Sequence, residues 1–363
     1  MPELISWETA AAVAARVARR QPPLGVRERR RLEEDFAELT SRAEELVTAE
    51  TGLRSLAGPA RARLVDRPEW VRANVASFRR LLRPVTDKLS AQMSRGGRWA
   101  PVPAGVSRQV SGAQIGLLLG WMSTRVLGQY DQLLIEEERP EDQDIVYYVG
   151  PNVLAVERRY GFPAREFRLW LALHEVTHRA QFTGVPWMRA HFLSLVEAAM
   201  AGIDPDPRKL LAALRRSVDE VRAGRNPLDE GGLLTLLAGP EQYEAIQRIG
   251  GLMSLLEGHG DVTMDRAGAS EIPNAARFSR VLRERRRQRG AAKALSVLVG
   301  IDAKLRQYEQ GERFIAAVEN AGGPRLLARV WEEPGLLPSW QEIRQPADWI
   351  ARVGTFGAPM LLS

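Results

Sequence analysis

The sequence predicts a mainly α-helical protein with a small β-hairpin or sheet, and three observations carry that expectation. Apolar residues recur at helical spacing along most of the chain, with Pro and Gly punctuating the segments. Only one stretch, Asp144-Ile145-Val146-Tyr147-Tyr148-Val149, reads as a good strand. An apolar segment near the middle of the chain carries His174-Glu175-Val176-Thr177-His178.

Taken in order, residues 5 to 53 read as helical, an alanine-rich amphipathic segment followed by a charge-dense one from Arg27 to Glu50 that ends at Gly52. Asp66-Arg67-Pro68-Glu69-Trp70 opens the next helix, with Asp66 as its cap, Pro68 in its first turn, and Trp70, Ala73, Asn74, Phe78 and Leu81 as its inward stripe. A Gly- and Pro-rich loop spans Gly96 to Gly105. Beyond it Gly112, Gly116, Gly120, Thr124 and Gly128 recur every four residues, a ridge of small residues that another backbone can approach closely. That ridge supports the histidine-bearing helix, serves ordinary core packing or faces another subunit.

The strand at Asp144 to Val149 is followed by the turn Gly150-Pro151-Asn152 and a second short strand, Val153 to Glu157. This hairpin is either structural or an edge to which an extended substrate adds. Residues 163 to 183 form one helix, with Pro163 at its start and Gly184 and Pro186 as its stop. Further helices are expected at Pro186 to Met200, Pro207 to Ala223, Glu230 to Leu237, Pro240 to Leu256, Ala276 to Gln288, Ala291 to Phe314 and Pro324 to Trp331. Trp340 and Trp349 anchor the tail. The expected organisation is a helical region over 1–100, a catalytic core over 101–270 and a helical region over 271–363.

Composition narrows the chemistry. The 363 residues are 45% hydrophobic, ample for a core, and contain no cysteine, so thiolate ligands, disulfides and a cysteine nucleophile are excluded. The net charge is +6, yet of 51 basic residues only Lys88, Lys209, Lys293 and Lys304 are lysines. That skew fits a GC-rich genome, and runs such as Arg27-Glu28-Arg29-Arg30-Arg31 mix in acids, so solvated helix faces and no nucleic-acid binding are expected. The N-terminal charge order is wrong for a secretory signal, and the uncharged stretch near Val106 to Thr124 is too short to span a bilayer, so no membrane association and a cytoplasmic location are expected.

Residues four apart lie on one helix face, so His174 and His178 can reach one metal ion. Glu175 is turned by about 100° from His174, outside the ligand set but near a metal-bound water, where a carboxylate can act as general base. This His-Glu-x-x-His spacing is the zinc-hydrolase signature; with no thiols available the Zn2+ would sit on nitrogen and oxygen ligands, and a hydrolytic zinc needs a third ligand. Gln181 and Gly184 stand where a short-spaced third histidine motif would continue. Glu257 is the leading candidate, because Asp261 four residues on can accept a hydrogen bond from a metal-bound histidine. His259, available if that segment is irregular, and Glu197 follow it. Gly258 and Gly260 would let this segment approach the metal helix.

His174 to His178 with Glu257 and Asp261 resembles the gluzincin arrangement of zinc metallopeptidases. Phe167-Arg168-Leu169-Trp170, Pro186-Trp187-Met188-Arg189, Leu255-Leu256-Glu257-Gly258-His259 and Lys304-Leu305-Arg306-Gln307-Tyr308 further resemble a zincin-like metallohydrolase family of high-GC bacteria. That family is named for a genomic association with deazaflavin coenzyme biosynthesis. The likeness runs from Asp66-Arg67-Pro68-Glu69-Trp70 to the tail. It implies a zincin-like metalloprotease fold with helical N- and C-terminal extensions and one zinc, and no chemistry on the coenzyme by itself.

The expected activity is hydrolysis of an amide bond in a peptide, with Glu175 as general base. An amidase or deacylase acting on a small amide, and a zinc-stabilised scaffold without turnover, are the alternatives. His259, His191, Tyr148, Tyr243 and Tyr308 are candidate oxyanion donors, His259 foremost because it adjoins Glu257. Oligomeric state does not follow from these residues.

Overall fold

A computed structural model describes residues 4–19, 24–94, 104–130, 144–201, 240–287 and 301–354. It is mainly helical with one three-stranded sheet. The chain divides into two compact units, Met1–Ala180 with Ala267–Phe278, and Gln181–Arg266 with Ser279–Ser363. The expected helices at Pro207 to Ala223 and Glu230 to Leu237, and residues 291–300 of the expected Ala291 to Phe314 helix, lie outside the described residues. Among the described residues no helix is long and apolar enough to cross a membrane.

The first unit opens with α1 (Trp7–Ala18), capped by Ser6, whose hydroxyl accepts from Thr9 N. Helix α2 (Val26–Thr51) ends at Gly52, whose φ of 70° is the left-handed conformation that closes many helices. Strand β1 (Arg61–Val65) leads into α3 (Arg67–Ser94) through a reciprocal cap: Glu69 N donates to Asp66 Oδ1 at 2.8 Å and Asp66 N to Glu69 Oε2 at 2.6 Å. Trp70, Val71, Asn74 and Ser77 are buried on α3, while Ala73 and Phe78 are half-buried, so the inward face is rotated slightly from the expected stripe.

Helix α4 (Ala104–Ser123) begins inside the expected Gly96 to Gly105 loop. Its glycines Gly112, Gly116 and Gly120 are packed against α1, whereas Gly128, the last of the expected ridge, lies beyond α4 and faces Glu175 of the histidine helix. A Cβ on Gly112 would stand 2.3 Å from Ser6 O, and on Gly116 2.5 Å from Ala10 O; on Gly120 it would stand 2.7 Å from Val17 Cβ. Ala10, Ala14 and Ala18 are wholly buried on the facing side, so small residues on both helices permit the approach.

The sheet has strand order β1-β3-β2. Central β3 (Ile145–Val149) is buried along its whole length and pairs in parallel with β1, with Leu64 opposite Tyr148. On its other side it pairs antiparallel with β2 (Gly128–Tyr130), with Gly128 opposite Tyr148. A continuous apolar run fits a strand covered on both faces. It also means that β3 is not an edge, so the expected hairpin is corrected. Val153 to Glu157 is not a strand but part of α5 (Gly150–Tyr160). Pro151 near the helix start has its φ preset for helix, and buried Asn152 donates to Ser123 O at 2.8 Å and Val126 O at 2.6 Å, tying that start to the end of α4. Helix α6 (Ala164–Thr183) follows, its Phe167 N donating to Pro163 O.

The second unit holds the last turn of α6 with α7 (Met188–Ala201) and α8 (Pro240–Ala267). Helix α8 continues some three turns past its expected end at Leu256. Helix α9 (Ala275–Arg287) starts in the first unit and ends in the second. Helix α10 (Ile301–Ala328) is broken at Gly323, with φ 71°, just before Pro324, where the sequence expects a new helix. Gly258 of α8 faces Gly311 of α10, where a Cβ would stand 2.4 Å from the Gly311 carbonyl carbon, so this glycine serves an approach other than the expected one to the metal helix. Two 3-10 turns lead to α11 (Trp340–Arg344) and α12 (Pro346–Gly354). Trp349 anchors this tail, fully buried, with Nε1 donating to Leu336 O at 2.8 Å.

Glycine packing sets a stability contrast. Gly116→Ala forces α1 aside, an overpacking cost of about 1–3 kcal/mol that exceeds the roughly 1 kcal/mol gain in helix propensity. At Gly250 a Cβ meets Trp340 at an ordinary 3.5 Å. Urea unfolding should show Gly116→Ala less stable than wild type and Gly250→Ala more stable, by up to about 1 kcal/mol.

Candidate metal centre

Helix α6 is buried nearly all round. Phe167, Leu169, Trp170, Leu171, Ala172, Leu173 and Val176 are buried, and so are the polar residues Arg168, Glu175, Thr177, His178, Arg179 and Gln181. Buried polar groups require partners. Thr177 Oγ1 donates to Leu173 O one turn back at 2.7 Å. Arg168 binds Glu157 through two bonds of 2.8 Å and also reaches Asp35. Arg179, 1% exposed, reaches Asp144 Oδ2 at 2.6 and 3.0 Å, Glu44 Oε1 at 2.6 Å and Gly58 O at 2.6 Å. Asp144 has φ 56°, a left-handed conformation that Asp tolerates better than most residues, and it immediately precedes β3.

His174 and His178 point the same way from this helix. Their Nε2 atoms are 3.2 Å apart and their ring planes meet at 84°. Two imidazole nitrogens on one tetrahedral zinc, each about 2.0–2.1 Å from it, stand about 3.3 Å apart, so the pair fits such an ion. His174, His178 and Glu257 each offer one ligand atom, and these atoms all lie within 4.8 Å of one another, a group able to hold a metal ion. Two imidazoles and a carboxylate form a donor set suited to zinc. Glu175 is buried beside this pair, and its Oε2 accepts from Tyr130 N at 3.0 Å.

His259 and Asp261 lie on the same helix as Glu257. Because α8 is regular through Glu257, His259 projects to nearly the opposite face of the helix. Its Nδ1 accepts from Gln181 Nε2 at 3.0 Å, a nitrogen that also donates to Leu256 O, and its ring meets Trp331 edge-on at 5.0 Å. The ring proton therefore sits on Nε2, the atom from which any donation to an oxyanion would come. Asp261 is partly exposed one turn beyond Glu257, and Glu197 is exposed on α7. Tyr148 is committed to the core: its hydroxyl bonds Thr40 Oγ1 at 2.8 Å, its ring stacks on Phe36 at 3.9 Å, and burial pushes its pKa up. His191 lies against Trp187, and burial and the nearby Arg248 push its pKa down. Tyr243 is 40% exposed, and the side chain of Tyr308 lies outside the described residues.

Sequence reading missed the groups that contact Glu175. Gly128 and Tyr130 belong to a three-residue strand with no alternation to reveal it, and a backbone N–H has no sequence signature. Arg179 and Asp144 were also missed, because 35 residues separate them and only the fold brings them together.

The family model for zincin-like metallopeptidases matches residues 5–350. A crystal structure from Chloroflexus aurantiacus, described as a "putative hydrolase with a novel fold", superposes with a TM-score of 0.71 at 32% identity, covering 96% of this chain and 99% of that one. A search of curated proteins finds no match.

The Arg179 cluster carries a prediction. Arg179→Leu leaves the Asp144 carboxylate buried beside an apolar side chain, and removing one partner of a buried pair costs about 3–5 kcal/mol. Urea unfolding should show a loss of that size, with a much smaller one for Arg30→Leu, whose pair with Glu34 is exposed.

Proposed function

We propose, for a chain that belongs to the zincin-like metallopeptidase family, that it is a zinc-dependent hydrolase of peptide bonds whose ion is held by His174, His178 and Glu257. The observation that carries this reading is the convergence of one ligand atom from each of the three. Zinc, when bound, supplies the Lewis acidity that polarises a scissile carbonyl.

The chain's own residues do the rest. His174 and His178 direct their Nε2 atoms to one point because they are one helical turn apart. Glu257 adds a carboxylate, so the three ligands together carry one negative charge. Asp261, one turn beyond Glu257, is assigned the task of orienting a ligand histidine. Glu175 is the general base: it removes a proton from the attacking water and returns it to the departing amine, which leaves as a neutral amine. Its carboxylate is already oriented by Tyr130 N–H, so little reorganisation precedes proton transfer. The family's description favours a peptide over a small-metabolite amide, and an intact Glu175 favours turnover over a purely structural zinc, which requires no base beside it.

Elemental mass spectrometry of protein purified without added metal tests the ligand set. Wild type should carry about one zinc per chain, and His178→Ala and Glu257→Ala should each lose it. Zinc retained by Glu257→Ala would remove that residue from the set. Glu175→Gln should keep the metal while hydrolysis of a peptide library falls by about 100-fold or more. Undiminished turnover in that variant would show that another group is the base.

A further inference from the structure

Strand β2 is only three residues long, and each residue has a separate attachment. Its backbone pairs with β3. Gln129 is clamped to α3, its Oε1 accepting from Trp70 Nε1 at 2.7 Å and its Nε2 donating to Asn74 Oδ1 at 3.1 Å. Asn74 is in turn held by its own bond to Trp70 O at 2.9 Å. Tyr130 N donates to Glu175 Oε2 at 3.0 Å. At Gly128 a Cβ would stand 2.8 Å from Glu175 Oε1, 2.8 Å from its Cγ and 3.0 Å from its Cδ, closer than a methyl group can come.

We infer that β2 is a preformed cradle for the Glu175 carboxylate. In it Tyr130 N–H fixes Oε2, the missing side chain at Gly128 keeps a place for Oε1, and Gln129 holds the strand in register. This rests on the reading of Glu175 as general base. A backbone N–H in a paired strand cannot turn away, and a bond from it to a carboxylate is charge-assisted. Oε2 is therefore engaged throughout. Gly128, Gln129 and Tyr130 are positioning residues, none of them a metal ligand. The glycine at 128 thus has a role unlike that of Gly112, Gly116 and Gly120, which admit a helix.

The test reads the cradle without needing a substrate. Of the six tyrosines, labelled with heavy nitrogen, Tyr130 is identified by the amide resonance that Tyr130→Phe removes. In Glu175→Ala that resonance should move upfield and its exchange with solvent should quicken by about tenfold, as expected for loss of a bond to a charged acceptor. Glu175→Gln, whose side-chain carbonyl can still accept, should restore slow exchange. Gly128→Ala should move the same resonance while retaining zinc. An unchanged Tyr130 amide in Glu175→Ala overturns the cradle, whatever Gly128→Ala does and whether or not it folds. An unchanged amide in a folded Gly128→Ala overturns the part assigned to Gly128. Zinc content measured on the same samples separates this from the metal reading: a Tyr130 amide that responds as expected in protein without zinc supports the cradle and defeats the metal site.

Discussion

A helix buried on nearly every side cannot send its polar groups to water, and this constraint organises what surrounds α6. Each polar side chain on it must be met by an element brought there for the purpose, or by the helix itself. Arg168 is met by Glu157 and Asp35, Arg179 by Asp144, Glu44 and a carbonyl, and Thr177 by its own preceding turn. Gln181 is met by α8, through Leu256 O and His259. Glu175 is met by the backbone of β2. The helix that carries the two histidines therefore also carries many polar obligations, and satisfying them fixes its rotation and height.

The small sheet gains its purpose from that arrangement. Three strands contribute little to the fold by length, but Asp144, immediately before β3, holds Arg179, and β2 presents Tyr130 N–H to Glu175. The sheet is in turn located by α3 through Gln129, Trp70 and Asn74, and by the buried Asn152, which joins the start of α5 to the end of α4. These links are polar and directional. Apolar packing of α1 on α4 brings the elements together, and the hydrogen bonds decide their register.

Much of this was legible in the residues. The limits of α6, the cap of α3 at Asp66, the strand at Ile145 and the anchoring of the tail by Trp349 all follow from local chemistry, in which a side chain acts on its own backbone or on a neighbour within a turn. The misreadings share one cause. Val153 to Glu157 was taken for a strand because a short apolar run has no period long enough to distinguish strand from helix, and the deciding contact, Asn152 to Ser123 and Val126, lies far away in sequence. The glycine ridge was recognised as a place of close approach, but nothing in a row of glycines names the surface that approaches.

The sequence by itself determined the fold class, the helix that carries the histidines and the spacing that turns His174 and His178 to one side, because these depend on 3.6 residues per turn and on patterns local to a segment. Only the tertiary structure decided that α8 stays regular past Glu257, so that His259 points to a different face of that helix, and which backbone atom holds Glu175. Those outcomes depend on contacts between segments tens of residues apart. Such contacts are set by how buried polar groups find partners once the chain has packed, and a one-dimensional pattern does not carry that information.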